Sequence, residues 1–140
     1  MQHSKILIVD DRPENILTIE SVLNEPHRIF INATSGLEAL LMTKIDQVDL
    51  ILLDYNLDDM TGIEVAQGLR NNESTKHIPI IFVTAMCKDE RKKLNIFEIG
   101  TVDFIFKPFE IEEIQIKVGI FEKMAMMQRQ LFEKNWSCDM

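Results

Sequence analysis

Lys5-Ile6-Leu7-Ile8-Val9-Asp10-Asp11 is the stretch on which the fold turns: four apolar residues in unbroken succession, closed by two carboxylates. A strand with one wet face alternates apolar and polar side chains. Continuous Ile, Leu and Val instead suit a strand covered on both faces, as in a parallel sheet. Runs at 50–53, 78–83 and 102–106 repeat the pattern, and a fainter one lies at 28–32. Between them the apolar residues fall at helical spacing: 13–24 with Ile16, Ile19, Val22 and Leu23, 36–45 with Leu37, Leu40 and Leu41, then 62–70 and 88–99. Pro13 opens the first of these segments and Gly100 follows the fourth, where start and stop preferences put them. The alternation predicts an α/β fold, a flavodoxin-like doubly wound five-stranded parallel sheet of order 2-1-3-4-5 with five helices. The last helix, from 110 to about 134, contains no proline and a single glycine, Gly119, and is extended beyond the sheet it covers.

In an open α/β sheet, ligands bind beyond the carboxyl ends of the strands. The first run ends in Asp10-Asp11, the third in Asp54, the fourth in Thr84, and the fifth leads into Lys107-Pro108. Three carboxylates brought together repel one another unless a cation sits among them, and Mg2+ suits an oxygen shell of a few carboxylates and waters. The alternating acidic ligands of an EF-hand are absent. A carboxylate beside a metal, an ammonium and a hydroxyl is equipped to attack phosphorus and form an acyl phosphate. Asp54 is the candidate nucleophile, with Lys107 and Thr84 on the phosphoryl oxygens and Asp10 and Asp11 on the metal. Taken singly, each residue has a plainer reading: Asp10 or Asp11 as a helix cap, Asp54 in a turn, Thr84 in a strand, Lys107 in solvent, Phe104 in the core. Their joint position at the same ends of separate strands favours the chemistry.

The composition narrows the partners. With 140 residues, 46% hydrophobic and 27% charged, the chain makes one ordinary domain, and no run reaches the roughly 20 apolar residues of a membrane span. Its start lacks the pattern of a signal peptide, so the expected location is cytoplasmic. A net charge of −8 without a basic patch argues against nucleic acid and membrane as partners. Cys87 and Cys138 lack CxxC spacing and read as free thiols, and His3, His27 and His77 are scattered and read as solvated.

The motifs at 6–11, Leu53-Asp54-Tyr55-Asn56-Leu57 running on to Met60-Thr61-Gly62, Val83-Thr84-Ala85, and Phe104-Ile105-Phe106-Lys107-Pro108-Phe109 resemble the receiver domains of two-component response regulators. The resemblance covers residues 5 to about 120. It implies a phosphoacceptor at Asp54 supplied by a sensor histidine kinase or phosphotransfer protein, and a Mg2+ site at Asp10, Asp11, Asp54 and the Asn56 backbone carbonyl. It further implies a Thr84–Phe104 switch, a cis bond before Pro108, and no enzymatic turnover beyond the domain's own phosphorylation and dephosphorylation. Phe104 stands where the family more often has tyrosine, and Asp58 where it often has proline. Asn56 and Met86 flank the family's path of attacking water. On this reading residues 1–120 form the receiver domain and 121–140 a C-terminal helical extension. Along the last helix, across that division, Ile120, Met124, Met127 and Leu131 step by four, three and four, the spacing of a coiled-coil seam that fits a homodimer.

Three alternatives stay open. A haloacid-dehalogenase-like phosphatase needs a second Asp two residues after the nucleophile, where this chain has Asn56. A flavodoxin-like cofactor binder needs a phosphate cradle where this chain has Asp10-Asp11-Arg12-Pro13. A receiver-like scaffold that is never phosphorylated would not need the Asp10, Asp54, Thr84 and Lys107 set.

Overall fold

The computed structural model describes residues 3–85 and 103–138, with side chains described through residue 130. Strand β1 spans Ser4–Val9, helix α1 Pro13–Leu23, β2 Arg28–Ala33, α2 Gly36–Ile45, β3 Leu50–Leu53, α3 Gly62–Arg70, β4 Ile80–Thr84, β5 Asp103–Phe106 and α4 Ile111–Cys138. The strands form one parallel sheet in the order β2-β1-β3-β4-β5, as the apolar runs predict.

The continuous runs are buried on both faces. Leu7, Val9, Ile51, Leu53, Ile80, Phe82 and Phe104 point to one side, where they meet Ala39 of α2 and Val65, Ala66 and Leu69 of α3. Ile6, Ile8, Leu50, Leu52, Ile81, Val83 and Ile105 point to the other, against Ile16, Ile19 and Leu23 of α1 and Ile114 and Val118 of α4. Successive strand residues thus feed two separate cores, which is why none of them can be polar.

Four helices lie among the described residues. The expected helix at 88–99, Gly100, Met86 and Cys87 fall outside them, as does Val102, and for Leu131 and Cys138 the backbone alone is described. Helices α2 and α3 occupy the expected spans. Several boundaries differ. Strand β4 starts at Ile80 and not at Ile78, because Pro79 has no N–H for the ladder and the Ile78 N–H turns back to the Thr75 carbonyl at 3.1 Å. Helix α4 runs to Cys138, past the expected end near 134. The residue capping α1 is Arg12, with no side-chain cap bond; neither Asp10 nor Asp11 caps it.

Strand β1 reaches back to Ser4, a polar residue with no exposed surface. Its hydroxyl donates to Glu122 of α4, a glutamate only 4% exposed. Arg28 grips the same carboxylate with two bonds of 3.0 and 2.9 Å, and Nε2 of His27 lies 3.3 Å from it. Burial pushes the Glu122 carboxyl upward, but the bonds from Arg28, Ser4 and His27 outweigh it and hold it below the usual glutamate value. His27 is therefore part of a buried network and not the solvated residue its sequence position suggests. About two turns further on, Arg129 binds both oxygens of Asp49 at 3.0 and 3.1 Å and the His3 carbonyl at 3.1 Å. Helix α4 is thereby tied to the amino-terminal edge of the sheet at two levels.

Candidate phosphoacceptor site

At the opposite edge the order of the strands reverses between β1 and β3, which opens a crevice at their carboxyl ends. Val9 and Leu53 are register partners, so Asp10 and Asp54 leave the sheet side by side, and the Asp54 N–H closes on the Val9 carbonyl at 3.0 Å. Thr84 and Phe106 are partners in the same way, and the Lys107 N–H donates to the Thr84 carbonyl at 2.9 Å. Sheet register alone therefore gathers Asp10, Asp54, Thr84 and Lys107 on one edge.

One oxygen from each of Asp10, Asp11 and Asp54 lies within 4.8 Å of the others, the one such grouping of metal-ligating side chains among the described residues. Lys107 is joined to Pro108 by a cis peptide bond, and its ammonium lies 2.8 Å from Asp10 and 3.5 Å from Asp54. Asp10 is 2% exposed and is further held by the Arg12 N–H at 3.0 Å and by Asn15 Nδ2 at 3.3 Å. Asp11 is more open. Desolvation first, then the charge of Asp58, then Asp10 and Asp54, raise its carboxyl above the usual aspartate value. Three carboxylates faced by a single ammonium leave an excess of negative charge, and the oxygen-only donor set fits a hard divalent cation.

The loop after β3 is held tightly. Asn56 bridges to Thr61, the Asn56 N–H points at Asp54 Oδ1 at 3.4 Å, and Gly62 opens α3 behind Thr61, whose hydroxyl caps Glu64. A side chain at Gly62 would collide with the main-chain oxygen of Asp54 and come within 2.9 Å of Phe82, so that position requires the absence of a Cβ. Asp59 reaches across to α2 and accepts from the Gly36 and Leu37 N–H groups at 2.8 and 2.9 Å.

Thr84 has no exposed surface, and Phe104 is packed inward, its ring 5.5 Å from that of Phe82 and 6.0 Å from that of Phe106. All six side chains proposed from the sequence, with Asn56, thus lie at this edge or directly behind it. Sequence reasoning missed Asn15 and Asp59. A polar residue in the first turn of α1 hints at the former, whereas the bond from Asp59 to a helix 22 residues earlier leaves no local signal.

Residues 6–119 match the response regulator receiver domain. The chain belongs to that family. Among relatives of this receiver domain, a probable cyclic di-GMP phosphodiesterase of Vibrio cholerae serotype O1 is 41% identical over 113 residues, covering 81% of this chain and 25% of that protein. The chemotaxis protein CheY-3 of the same species is 32% identical over 127 residues, 88% of this chain and 95% of that one. The receiver domain thus spans a quarter of the first relative and nearly all of the second. Among solved structures, the receiver domain of sensor histidine kinase PA1611 from Pseudomonas aeruginosa PAO1, with a magnesium ion coordinated in its active-site cleft, superposes with a TM-score of 0.77 at 26% identity, covering 86% of this chain and 98% of that one. The chain is a receiver domain of two-component signalling, and among the described residues no helix is long and apolar enough to cross a membrane.

Proposed function

We propose that this receiver domain takes a phosphoryl group from a histidine kinase or phosphotransfer protein onto Asp54 in a Mg2+-dependent reaction, and that the new charge is passed on through Thr84 and Phe104. The observation that carries this reading is the carboxylate cluster of Asp10, Asp11 and Asp54 with Lys107 in reach of two of its members. An Asp54 carboxylate oxygen attacks phosphorus, the bond from phosphorus to the donor's imidazole nitrogen breaks, and water later returns the group as phosphate. Asp10, Asp11, Asp54 and the Asn56 carbonyl would hold the ion. When bound, Mg2+ supplies charge neutralisation to the phosphoryl oxygens. Lys107 takes part of the same charge, and the Thr84 hydroxyl donates to a phosphoryl oxygen. Phe104 responds by repacking, with no phenolic group to anchor either position.

With Asn56 where a phosphatase would carry its general acid, the domain serves as an acceptor and not as a turnover enzyme. The excess of acidic residues fits protein partners in the cytoplasm over nucleic acid or membrane. The C-terminal helical extension at 121–140 serves as a linker or dimerisation segment, and the seam at Ile120, Met124, Met127 and Leu131 supports a weak homodimer. Intact mass after incubation with acetyl phosphate and Mg2+ tests the central claim. A single phosphoryl adduct is expected; an adduct that persists in Asp54→Asn, or forms equally well in excess chelator, overturns it.

A further inference from the structure

The first N–H groups of a helix have no partner within it and go to caps or to water. In α2 they are claimed from two directions. Ser35, the residue before the helix, accepts from the Glu38 N–H at 3.1 Å, while Asp59, from the loop that follows the phosphoacceptor, accepts from the Gly36 and Leu37 N–H groups at 2.8 and 2.9 Å. The carboxylate also meets the positive end of the helix dipole, and the bonds from Gly36 and Leu37 hold it below the usual aspartate value, so that it is charged at neutral pH. The contact is close on both sides. A side chain at Gly36 would run into Met60, the neighbour of Asp59.

The loop so anchored is short and closed. Its base is the Asn56–Thr61 bridge and the 2.6 Å bond from the Gly62 N–H to the Tyr55 carbonyl; its tip is residues 57–60. The sheet fixes the Asp54 side of this loop and α3 fixes the Thr61 side. Asp59 is the tie at the tip, and the Asn56 carbonyl lies between the tip and the nucleophile. We infer that Asp59 is a positioning residue for phosphoryl transfer, which holds the loop on the end of α2 and so sets the Asn56 carbonyl for Mg2+. This deepens the function proposed above and rests on it.

The test uses the full chain and two caps of one helix. Asp59→Ala removes the tie and two of the cap bonds. Ser35→Ala removes the third cap bond and leaves the tie in place. Mg2+ affinity is measured by calorimetric titration, together with kcat and KM for phosphorylation by acetyl phosphate at saturating Mg2+. Asp59→Ala is expected to weaken Mg2+ binding about tenfold, the lower end of what a supporting residue behind a metal ligand contributes. Ser35→Ala, although it lowers thermal stability, should bind Mg2+ like the parent. Asp59→Asn, which keeps one acceptor oxygen, should fall between, and it carries the test if the alanine variant does not fold. Parental Mg2+ affinity in Asp59→Ala or Asp59→Asn, or an equal loss in Ser35→Ala, overturns the inference while leaving the phosphoacceptor reading intact. A parent chain that neither binds Mg2+ nor takes up phosphate overturns both.

Discussion

At the scale of single residues, the site is an arrangement of charge that the fold tolerates and the proposed chemistry needs. Asp11 shows the conflict. Its carboxyl is raised by desolvation and by the charges of Asp58, Asp10 and Asp54. An acid whose folded value lies above its unfolded one destabilises the fold when ionised, and stability rises as pH falls through the folded value. Asp11→Asn is therefore expected to melt at a higher temperature than the parent in chelator at neutral pH. In Mg2+ the order should change, because an ion that binds the folded state at one hundred times its dissociation constant adds about 2.7 kcal/mol, a gain the variant would lose. Thermal melts of both proteins with and without Mg2+ decide this, and a parent already more stable in chelator counts against it.

At the scale of elements, α4 differs from the other helices in how it is held. Helices α1, α2 and α3 rest on apolar faces, whereas α4 adds Glu122 and Arg129 to Ile114 and Val118. Arg28 has a side chain only 8% exposed, so Glu122→Ala would leave a cation buried without its partner and is expected to cost about 3–5 kcal/mol in urea or thermal unfolding. The carboxyl of Glu122 lies below its usual value, so its contribution is complete above the unfolded value and is lost as pH falls through the folded one. The difference between parent and Glu122→Gln should thus be largest at about pH 7 and shrink towards about pH 3; a difference independent of pH would show that the pair contributes nothing through its charge. None of this was legible beforehand. The apolar runs announced the strands because burial on both faces forbids polar residues, and α2 and α3 were legible from the helical spacing between those runs. Ser4 carries no such mark, since its burial depends on a glutamate 118 residues away.

At the scale of the whole molecule, the two edges of the sheet do different work. The carboxyl edge was readable because the doubly wound topology obliges strand-end residues to meet; from Asp10, Asp54, Thr84 and Lys107 the gathering follows without a coordinate. What the topology cannot give is which groups pair, such as Lys107 with Asp10 at 2.8 Å, or which loop a distant carboxylate secures. The amino-terminal edge carries the clamps, and alongside them on α4 Ile120, Met124 and Met127 are 52, 51 and 61% exposed. That seam is short and rich in methionine, which packs without fixing register, so a dimer through it is expected to be weak and dependent on concentration. Sedimentation of the parent against Met124→Glu combined with Met127→Glu checks it, and equal self-association in both would move the contact elsewhere. The clamps at Glu122 and Arg129 have a bearing on protein fusions as well. They fix the rotational phase of α4 about its own axis, so anything joined in continuous helix after it inherits a set heading relative to the carboxyl edge of the sheet. Inserting one residue past Arg129 swings that cargo by about 100°, while inserting seven returns it to within about 20° of its first bearing and carries it roughly 10 Å further out.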